Sequence, residues 1–219
     1  MYMNEFQVFT NELKDALTPP LPGTSAHYML APEHRKSLLL QKNDLSNAQL
    51  SSVLILFFPD NDNKPSIVLI RRVEYEGVHS GQISFPGGKA ELTDHDLYDT
   101  ALREAWEEIG VRSETIEILG VLTELYVPPS NFLIFPVVAR TSEYPAFIAE
   151  SKEVAEILTV PFDFFFSDGA VGTYITKTSE NKAVQVPGFM IGNHLVWGAT
   201  AMILSELLMV ARKTSLYSL

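Results

Sequence analysis

The spacing of apolar and polar residues along the chain predicts where helices and strands form. Apolar side chains recur at helical spacing near the N-terminus and predict a helix from Met3 to Leu17. The prolines and the glycine in TPPLPGTSAH interrupt this pattern. Residues 28–48 show no clear periodicity. We therefore expect residues 1–48 to form an N-terminal helix and extension, packed on a main domain of residues 49–219.

Short apolar runs after this extension predict β-strands. Ser52–Phe58 and Ser66–Arg72 flank the turn-forming residues DNDNKP, and the pair predicts a hairpin. Glu153–Thr159 is predicted to be a short helix or a turn before Val160-Pro161. Further strands are predicted at Gln82–Phe85, Ile116–Leu125, Leu133–Ala139, Thr173–Thr178 and Val184–Ile191.

Two helices are predicted in the main domain, at Asp96–Ile109 and Thr200–Arg212. Gly110 is a natural end for the first. The charged residues of this helix are expected largely on the face opposite its apolar stripe, which would place Trp106 in the core. The stripe consists of Leu97, Tyr98, Ala101, Leu102, Ala105, Trp106 and Ile109. Strands on both sides of a central helix, with hairpin signals among them, predict an α/β sandwich with a mixed β-sheet.

Composition narrows the class of protein. The 219 residues are enough to bury a full core in one main domain. The net charge of −11 argues against non-specific nucleic-acid binding, which needs a basic surface. The lack of cysteine excludes disulfides, a thiolate nucleophile and a cysteine zinc site, and fits a reducing compartment. No secretory pattern is recognised at the N-terminus, and the apolar runs are too short to span a bilayer. We therefore expect a cytoplasmic protein that binds neither nucleic acid nor membrane.

The predicted central helix carries an unusual concentration of carboxylates. Glu104, Glu107 and Glu108 can converge on one point off the helix surface, where their repulsion would need an opposing charge. Oxygen ligands suit Mg²⁺ or Mn²⁺, and Gly87-Gly88 lets the backbone approach a bound group. Arg103 can orient a carboxylate by paired hydrogen bonds. The alternative is an acidic, solvated helix face without a ligand.

The order of these residues resembles the Nudix box, Gly-x5-Glu-x7-Arg-Glu-U-x-Glu-Glu-x-Gly-U, in which U is aliphatic. The matching residues are Arg103, Glu104, Glu107, Glu108, Gly110 and Val111, with Ala105 at the first aliphatic position. The loop between Gly88 and Arg103 is one residue longer than in the general pattern, so the first glutamate has no clean equivalent. Asp94 stands at its nominal position, with Glu91 and Asp96 nearby, and the sequence leaves the choice open.

The longer loop is similar to that of the coenzyme A pyrophosphatase branch of the Nudix family. The upstream residues VLIRRVEYEGVHSGQISFPGG resemble the signature of that branch, with matches at Arg72, Gly81, Phe85, Pro86, Gly87 and Gly88. Val73 replaces a serine or alanine, and Gly77 replaces the second arginine. Arg71, Arg72 and His79 are candidates to substitute for this arginine. The resemblance covers roughly residues 50 to 212, including PPSNFLIFPVVA, EVAEILTVPF and VWGATAMIL.

The resemblance implies a Nudix-type α/β/α sandwich and a metal-dependent pyrophosphatase for a small nucleotide substrate. For this branch it implies cleavage of coenzyme A or acyl-CoA to 3′,5′-ADP and (acyl-)4′-phosphopantetheine. The departures at Val73 and Gly77 keep open a second substrate class, ADP-ribose or another nucleoside diphosphate derivative. A third hypothesis is that the protein is a non-catalytic Nudix module that senses a ligand. The retained glutamates argue against it.

The resemblance also implies roles for individual residues. The implied catalytic residues are Arg103, Glu104, Glu107 and Glu108, of which the three glutamates would bind metal. Substrate binding is expected at Arg72, Gly87, Gly88 and Phe132, although a core role for Phe132 is an equal alternative. The general base is left open among Glu104, Glu124, Glu150 and Glu153. The N-terminal helix is expected either to mediate a homodimer or to cap the sheet.

Overall fold

The computed structural model describes residues 3–39, 45–74, 81–177 and 182–218. The helices are α1 Glu5–Ala16, α2 Thr24–Met29, α3 Glu33–Leu39, α4 Leu97–Ile109 and α5 Gly198–Ala211. The strands of the larger sheet are β1 Gln49–Pro59, β2 Pro65–Arg72, β3 Ile83–Ser84, β4 Gly87–Lys89, β5 Ile116–Val121, β6 Leu125–Val127, β7 Phe132–Thr141 and β8 Val154–Pro161. A smaller sheet contains β9 Val171–Lys177, β10 Ala183–Ile191 and β11 His194–Trp197.

The long strand β1 organises the larger sheet. It pairs in parallel with β7 on one side, and antiparallel with β2 and β4 on the other. The strands β5 and β6 pair antiparallel with β7, while β3 and β8 pair antiparallel with β2. One parallel pair among antiparallel pairs confirms the predicted mixed sheet.

Helices cover both faces of this sheet. Successive side chains of β1 point to opposite faces. Leu54 and Leu56 join the core beneath α4, whereas Ile55 and Phe57 join the core that includes α1 and α5. The result is the predicted α/β/α sandwich, with helix α4 held directly against the central strand.

The N-terminal extension packs into the second of these cores. Helix α1 buries Phe6, Phe9 and Leu13. Asn4 accepts a hydrogen bond from the Gln7 backbone N–H and begins the helix as a capping box. Residues 28–48, which lack periodicity, contain the end of α2 and all of α3. Of the helices in the described ranges, none is long and apolar enough to cross a bilayer.

Two secondary-structure predictions are corrected. Glu153–Thr159 is not a helix or turn, because Val154–Pro161 forms strand β8 beside β2. The open edge of β2 supplies hydrogen-bond partners that local helix propensity does not reveal. The predicted strand Ile116–Leu125 is divided into β5 and β6, with Leu122–Glu124 between them.

Candidate active site

Helix α4 has clear start and stop signals. Asp96 is its N-cap, and its carboxylate accepts hydrogen bonds from the backbone N–H groups of Tyr98 and Asp99. Gly110 ends the helix in the left-handed conformation, with φ of 71°, and its N–H is bonded to carbonyls of the last turn. The helix therefore holds the intervening acids on a defined, rigid frame.

The face of α4 against the sheet is narrower than its apolar stripe suggests. Ala101, Ala105 and Ile109 are fully buried beneath it. Trp106, predicted to lie in the core, is instead 53% exposed, beside Leu102 and Arg112 in an outward-facing groove. The small alanines bring the helix close to the strand, which leaves no room for an indole on that side.

Glu108 lies on the buried side of α4, not on the opposite face as predicted. It follows Ala105 by three residues and Ala101 by seven, which places all three on one side of the helix, so its carboxylate points toward the sheet. Arg72 Nη1 donates to Oε1 at 3.1 Å, and the Gly87 N–H donates to Oε2 at 2.8 Å. Burial raises the pKa of Glu108 to about 7, against the opposing effect of these two donors.

Arg103 connects most of the remaining acids. Its guanidinium binds both oxygens of Asp94, at 2.8 and 3.0 Å. Its Nη1 donates to Glu104 and to Glu107, both at 2.9 Å. A further bond runs from Nη2 to the Lys89 carbonyl at 3.1 Å. The arginine thus fixes two glutamates relative to strand β4, which ends at Lys89.

Of the three acids considered for the start of the box, Asp94 is the one that pairs with Arg103. Asp96 is engaged as the helix cap, and the Glu91 backbone N–H donates to Asp94 at 2.9 Å. Hydrogen bonding to Arg103 holds the pKa of Asp94 far below its usual range. Asp94 follows Gly88 by six residues, as in the general pattern, so the extra residue falls between Asp94 and Arg103, where it still allows the bidentate pair.

Gly87 and Gly88 are required by close approaches. A Cβ on Gly87 would collide with the Ser52 carbonyl and with Val53. A Cβ on Gly88 would collide with the Glu104 carboxylate. These glycines let β4 run against β1 while the Glu104 carboxylate lies directly against the backbone.

Glu153 is the outlying glutamate that the fold brings to this group. The pKa values of Glu104 and Glu108 are raised mainly by burial. The negative charge of Glu153 is a smaller cause in the same direction. The Glu150 side chain instead accepts a bond from the Lys152 backbone N–H. Glu124 lines a cavity at the N-terminal extension. Strand β8 explains the position of Glu153, because the pairing of β8 with β2 places Glu153 beside Val73.

The predicted substrate-binding residues do not all lie in one place. Arg72, Gly87 and Gly88 lie around Glu108 and Glu104. Phe132 begins β7, on the far side of β1 from β4, and is paired with Gln49. Gly77 and His79 lie outside the described residues.

The donors present suit a divalent cation. Within the described ranges, no three acidic or histidine side chains are already gathered to hold an ion. In this arrangement Arg103 bridges Glu104 and Glu107, while Glu108 is bound to Arg72. Even so, the carboxylate oxygens of Glu104 and Glu108 lie against the Gly87-Gly88 backbone. Carboxylate oxygens are the ligands that Mg²⁺ and Mn²⁺ prefer.

Comparison with known proteins agrees with this geometry. The sequence model of the NUDIX domain family matches residues 49–166. An uncharacterized Nudix hydrolase NudL of Pectobacterium atrosepticum is 36% identical over 145 residues, which cover 65% of this chain and 73% of the relative. Its namesake from Yersinia pestis is 28% identical over 207 residues, covering 94% of this chain and 91% of the relative.

A solved structure supports the fold. The MutT/nudix family protein of Enterococcus faecalis superposes with a TM-score of 0.51, at 15% identity, over 95% of this chain and 74% of the other. Nudix hydrolases generally act on small molecules and use divalent metal ions. With its box helix, its glycine pair and its mixed sheet, this chain belongs to the Nudix family and is a Nudix hydrolase.

Proposed function

We propose that the protein is a metal-dependent pyrophosphatase that hydrolyses coenzyme A or acyl-CoA to 3′,5′-ADP and (acyl-)4′-phosphopantetheine. The observation that carries the proposal is the meeting of Glu104 and Glu108 at the Gly87-Gly88 backbone. The sequence around these glycines, from Arg72 to Gly88, resembles the signature of the coenzyme A branch. Arg72 is also in direct contact with Glu108, which supports a place for that signature at the reacting centre.

The residues that would hold the cation are Glu104, Glu107 and Glu108. A divalent cation held there supplies positive charge that stabilises the oxygens of the pyrophosphate in the transition state. Arg103 keeps Glu104 and Glu107 in place through its bidentate bond to Asp94. Preorganisation of this kind reduces the reorganisation needed when substrate binds.

Glu153 is our candidate for the general base. Its proximity to Glu104 and Glu108 would put a carboxylate near a water molecule that attacks phosphorus. Glu104 remains the alternative base inside the box, because its pKa is raised, chiefly by burial. Glu153→Gln tests the assignment, since loss of the base should flatten the acid limb of the pH–rate profile, whereas an unchanged acid limb would favour Glu104.

The direct test is product analysis after incubation with Mg²⁺ or Mn²⁺. Release of 3′,5′-ADP from coenzyme A supports the proposal. The companion variant is Glu107→Gln, which we expect to lower kcat by about 100-fold or more, since a charged ligand is lost. Glu107 is half exposed, so the variant should keep the wild-type melting temperature. Wild-type turnover in this variant would contradict the metal-site assignment.

A second candidate substrate is ADP-ribose or another nucleoside diphosphate derivative. Val73 and Gly77, which depart from the coenzyme A signature, favour this alternative. The arginine that the signature has in place of Gly77 would be a natural partner for a substrate phosphate. A parallel reaction with ADP-ribose decides between them: cleavage of ADP-ribose alone would assign the same acids to a different substrate.

A further inference from the structure

The cavity lined by Glu124 lies at the junction of the N-terminal extension and the sheet. It has a volume of about 470 Å³ and is bordered by α2, α3 and β6. Its polar lining includes Thr24, His27, Arg35, Thr123 and Tyr126. The cavity is separate from the carboxylate group on α4, and the proposed chemistry does not use it.

Arg35 is the unusual member of this lining. It is only 7% exposed, and burial lowers its pKa. Its Nη2 donates a hydrogen bond to the Tyr126 carbonyl, at 3.2 Å. Within the described ranges, no carboxylate lies within ion-pair distance of it. Burying a guanidinium without an anionic partner is costly, so the position is well suited to a ligand that brings negative charge.

The buried carboxylate bonded to His27 and Thr123 of this lining is already committed to those donors. Glu206 on α5 accepts from His27 Nε2 at 2.9 Å and from the Gly23 N–H at 2.8 Å. Thr123 donates to it through both its backbone N–H, at 3.1 Å, and its hydroxyl, at 2.7 Å. Glu206, His27 and Thr123 are thus hydrogen-bonded to one another. Glu124, at an exposed position on the lining, adds negative charge that an anionic ligand would have to tolerate.

The strand registers connect this cavity to the candidate active site. Ser51 of β1 faces Lys89 on one side and Ile134 on the other, and Ile134 faces Leu125. Lys89 follows the glycine pair, and Leu125 lines the cavity. Three strand spacings separate these ends, or about 14 Å. The cavity lies on the face of the sheet that carries α5, and α4 lies on the other face, so a substrate that occupied both places would have to cross the edge of the sheet.

We propose that Arg35 binds a phosphate monoester of the substrate, at a position outside the pyrophosphate that is cleaved. This inference rests on the proposed function and deepens it. Coenzyme A carries such a phosphate on its ribose, whereas dephospho-CoA and ADP-ribose do not. A guanidinium in a cavity suits a phosphate dianion, because it offers several donors in a planar fork. The N-terminal extension would then select the substrate.

The kinetic test compares coenzyme A with dephospho-CoA. The wild type should prefer coenzyme A in kcat/KM, and Arg35→Gln should reduce this preference by about tenfold, as expected for loss of a charge-assisted contact. Arg35→Lys should retain part of it. Lys36→Gln is the matched control, since Lys36 is the adjacent cation and pairs with Glu33. A folded Arg35→Gln protein with the wild-type preference overturns the proposal.

A variant at an exposed position covers the case in which Arg35→Gln does not fold. Glu124→Gln removes a negative charge from the same lining, and the preference for coenzyme A should rise by about twofold. An unchanged preference in this variant counts against the cavity, independently of Arg35.

A binding measurement separates this proposal from the proposed function. 3′,5′-ADP should raise the melting temperature of the wild type more than AMP does, and Arg35→Gln should remove that difference. If neither coenzyme A nor dephospho-CoA is hydrolysed but the Arg35-dependent difference persists, the phosphate site stands and the proposed reaction is wrong. If coenzyme A is hydrolysed and the wild type shows no difference between the nucleotides, the phosphate site is wrong.

Discussion

At the scale of single residues, the candidate site depends on a glycine without a side chain as much as on charged side chains. Gly88 has no Cβ, so the Glu104 carboxylate lies against the backbone of β4. Arg103 then holds Glu104 from the other direction, at 2.9 Å. The position of one carboxylate is therefore set from two sides, and a small change on either side should move it.

Gly88→Ala tests this arrangement. The added methyl group should displace the Glu104 carboxylate, whose flexible side chain can move, so we expect kcat to fall by about 10- to 100-fold. The fold should remain, because Gly88 does not need a positive φ. Steady-state kinetics and the melting temperature give the two readouts. Equal activity of Gly88→Ala and wild type would contradict the close approach.

Asp94→Asn tests the ion pair that anchors Arg103. We expect a loss of about 1–3 kcal/mol in the free energy of unfolding near neutral pH, since hydrogen bonds to a charged group are weakened. The pKa of Asp94 is lowered on folding, so its contribution is present above about pH 4, the usual range of an unfolded aspartate, and is lost as the pH falls toward the lowered value. Urea unfolding of both proteins from pH 7 down to pH 3 should show the difference shrink. A difference that is constant over this range would exclude a charge effect.

At the scale of elements, helix α4 is a frame whose ends are fixed by side-chain and backbone caps. Asp96 binds two N–H groups of the first turn, and Gly110 closes the last turn. Between these caps, the alanines that face β1 bring Glu108 into contact with Gly87. The geometry of the candidate site thus depends on where the helix begins as well as on its acids.

Asp96→Ala should destabilise the helix. Loss of the N-cap is expected to reduce the free energy of unfolding by about 1 kcal/mol. Chemical denaturation measures this change. Asp168→Ala, which removes an exposed aspartate outside a helix, is the matched control. A loss of equal size in both variants would show that the cap itself contributes nothing.

At the scale of the whole molecule, the N-terminal extension is integrated with the domain that follows it. Helix α1 contributes Phe6, Phe9 and Leu13 to the core that contains α5. Glu206 joins the extension, through Gly23 and His27, to Thr123 beside β6. The cavity that contains Arg35 lies along this junction.

Glu206→Gln should weaken the junction. An amide cannot accept from all the donors that surround this carboxylate, so we expect a loss of about 1–3 kcal/mol in the free energy of unfolding. Glu12→Gln is a suitable control, because Glu12 also accepts from a distant residue, Ser215, but at an exposed position. Thermal or urea unfolding provides the comparison. Unchanged stability of Glu206→Gln would mean that the extension does not depend on this carboxylate.

Much of the fold was predictable because local patterns coincide with long-range packing. The β1–β2 hairpin follows its two apolar runs, and α4 begins and ends within one residue of the predicted bounds. The prediction for Glu153–Thr159 was wrong because strand β8 exists through its pairing with β2, which is distant in sequence. The prediction for Trp106 was wrong because a helical stripe shows which face is apolar, but not how closely the sheet approaches it.

The sequence by itself determined the family, the acids of the box helix and the glycines beside them, since these depend on residue type and short spacing. Tertiary structure alone decided that Asp94 is the partner of Arg103, that Glu108 is buried, and that Glu153 lies near the acids. It also enclosed Arg35 beside β6. The physical reason is the same in each case: burial and ion pairing depend on distances between segments that are far apart along the chain, and no local pattern records those distances.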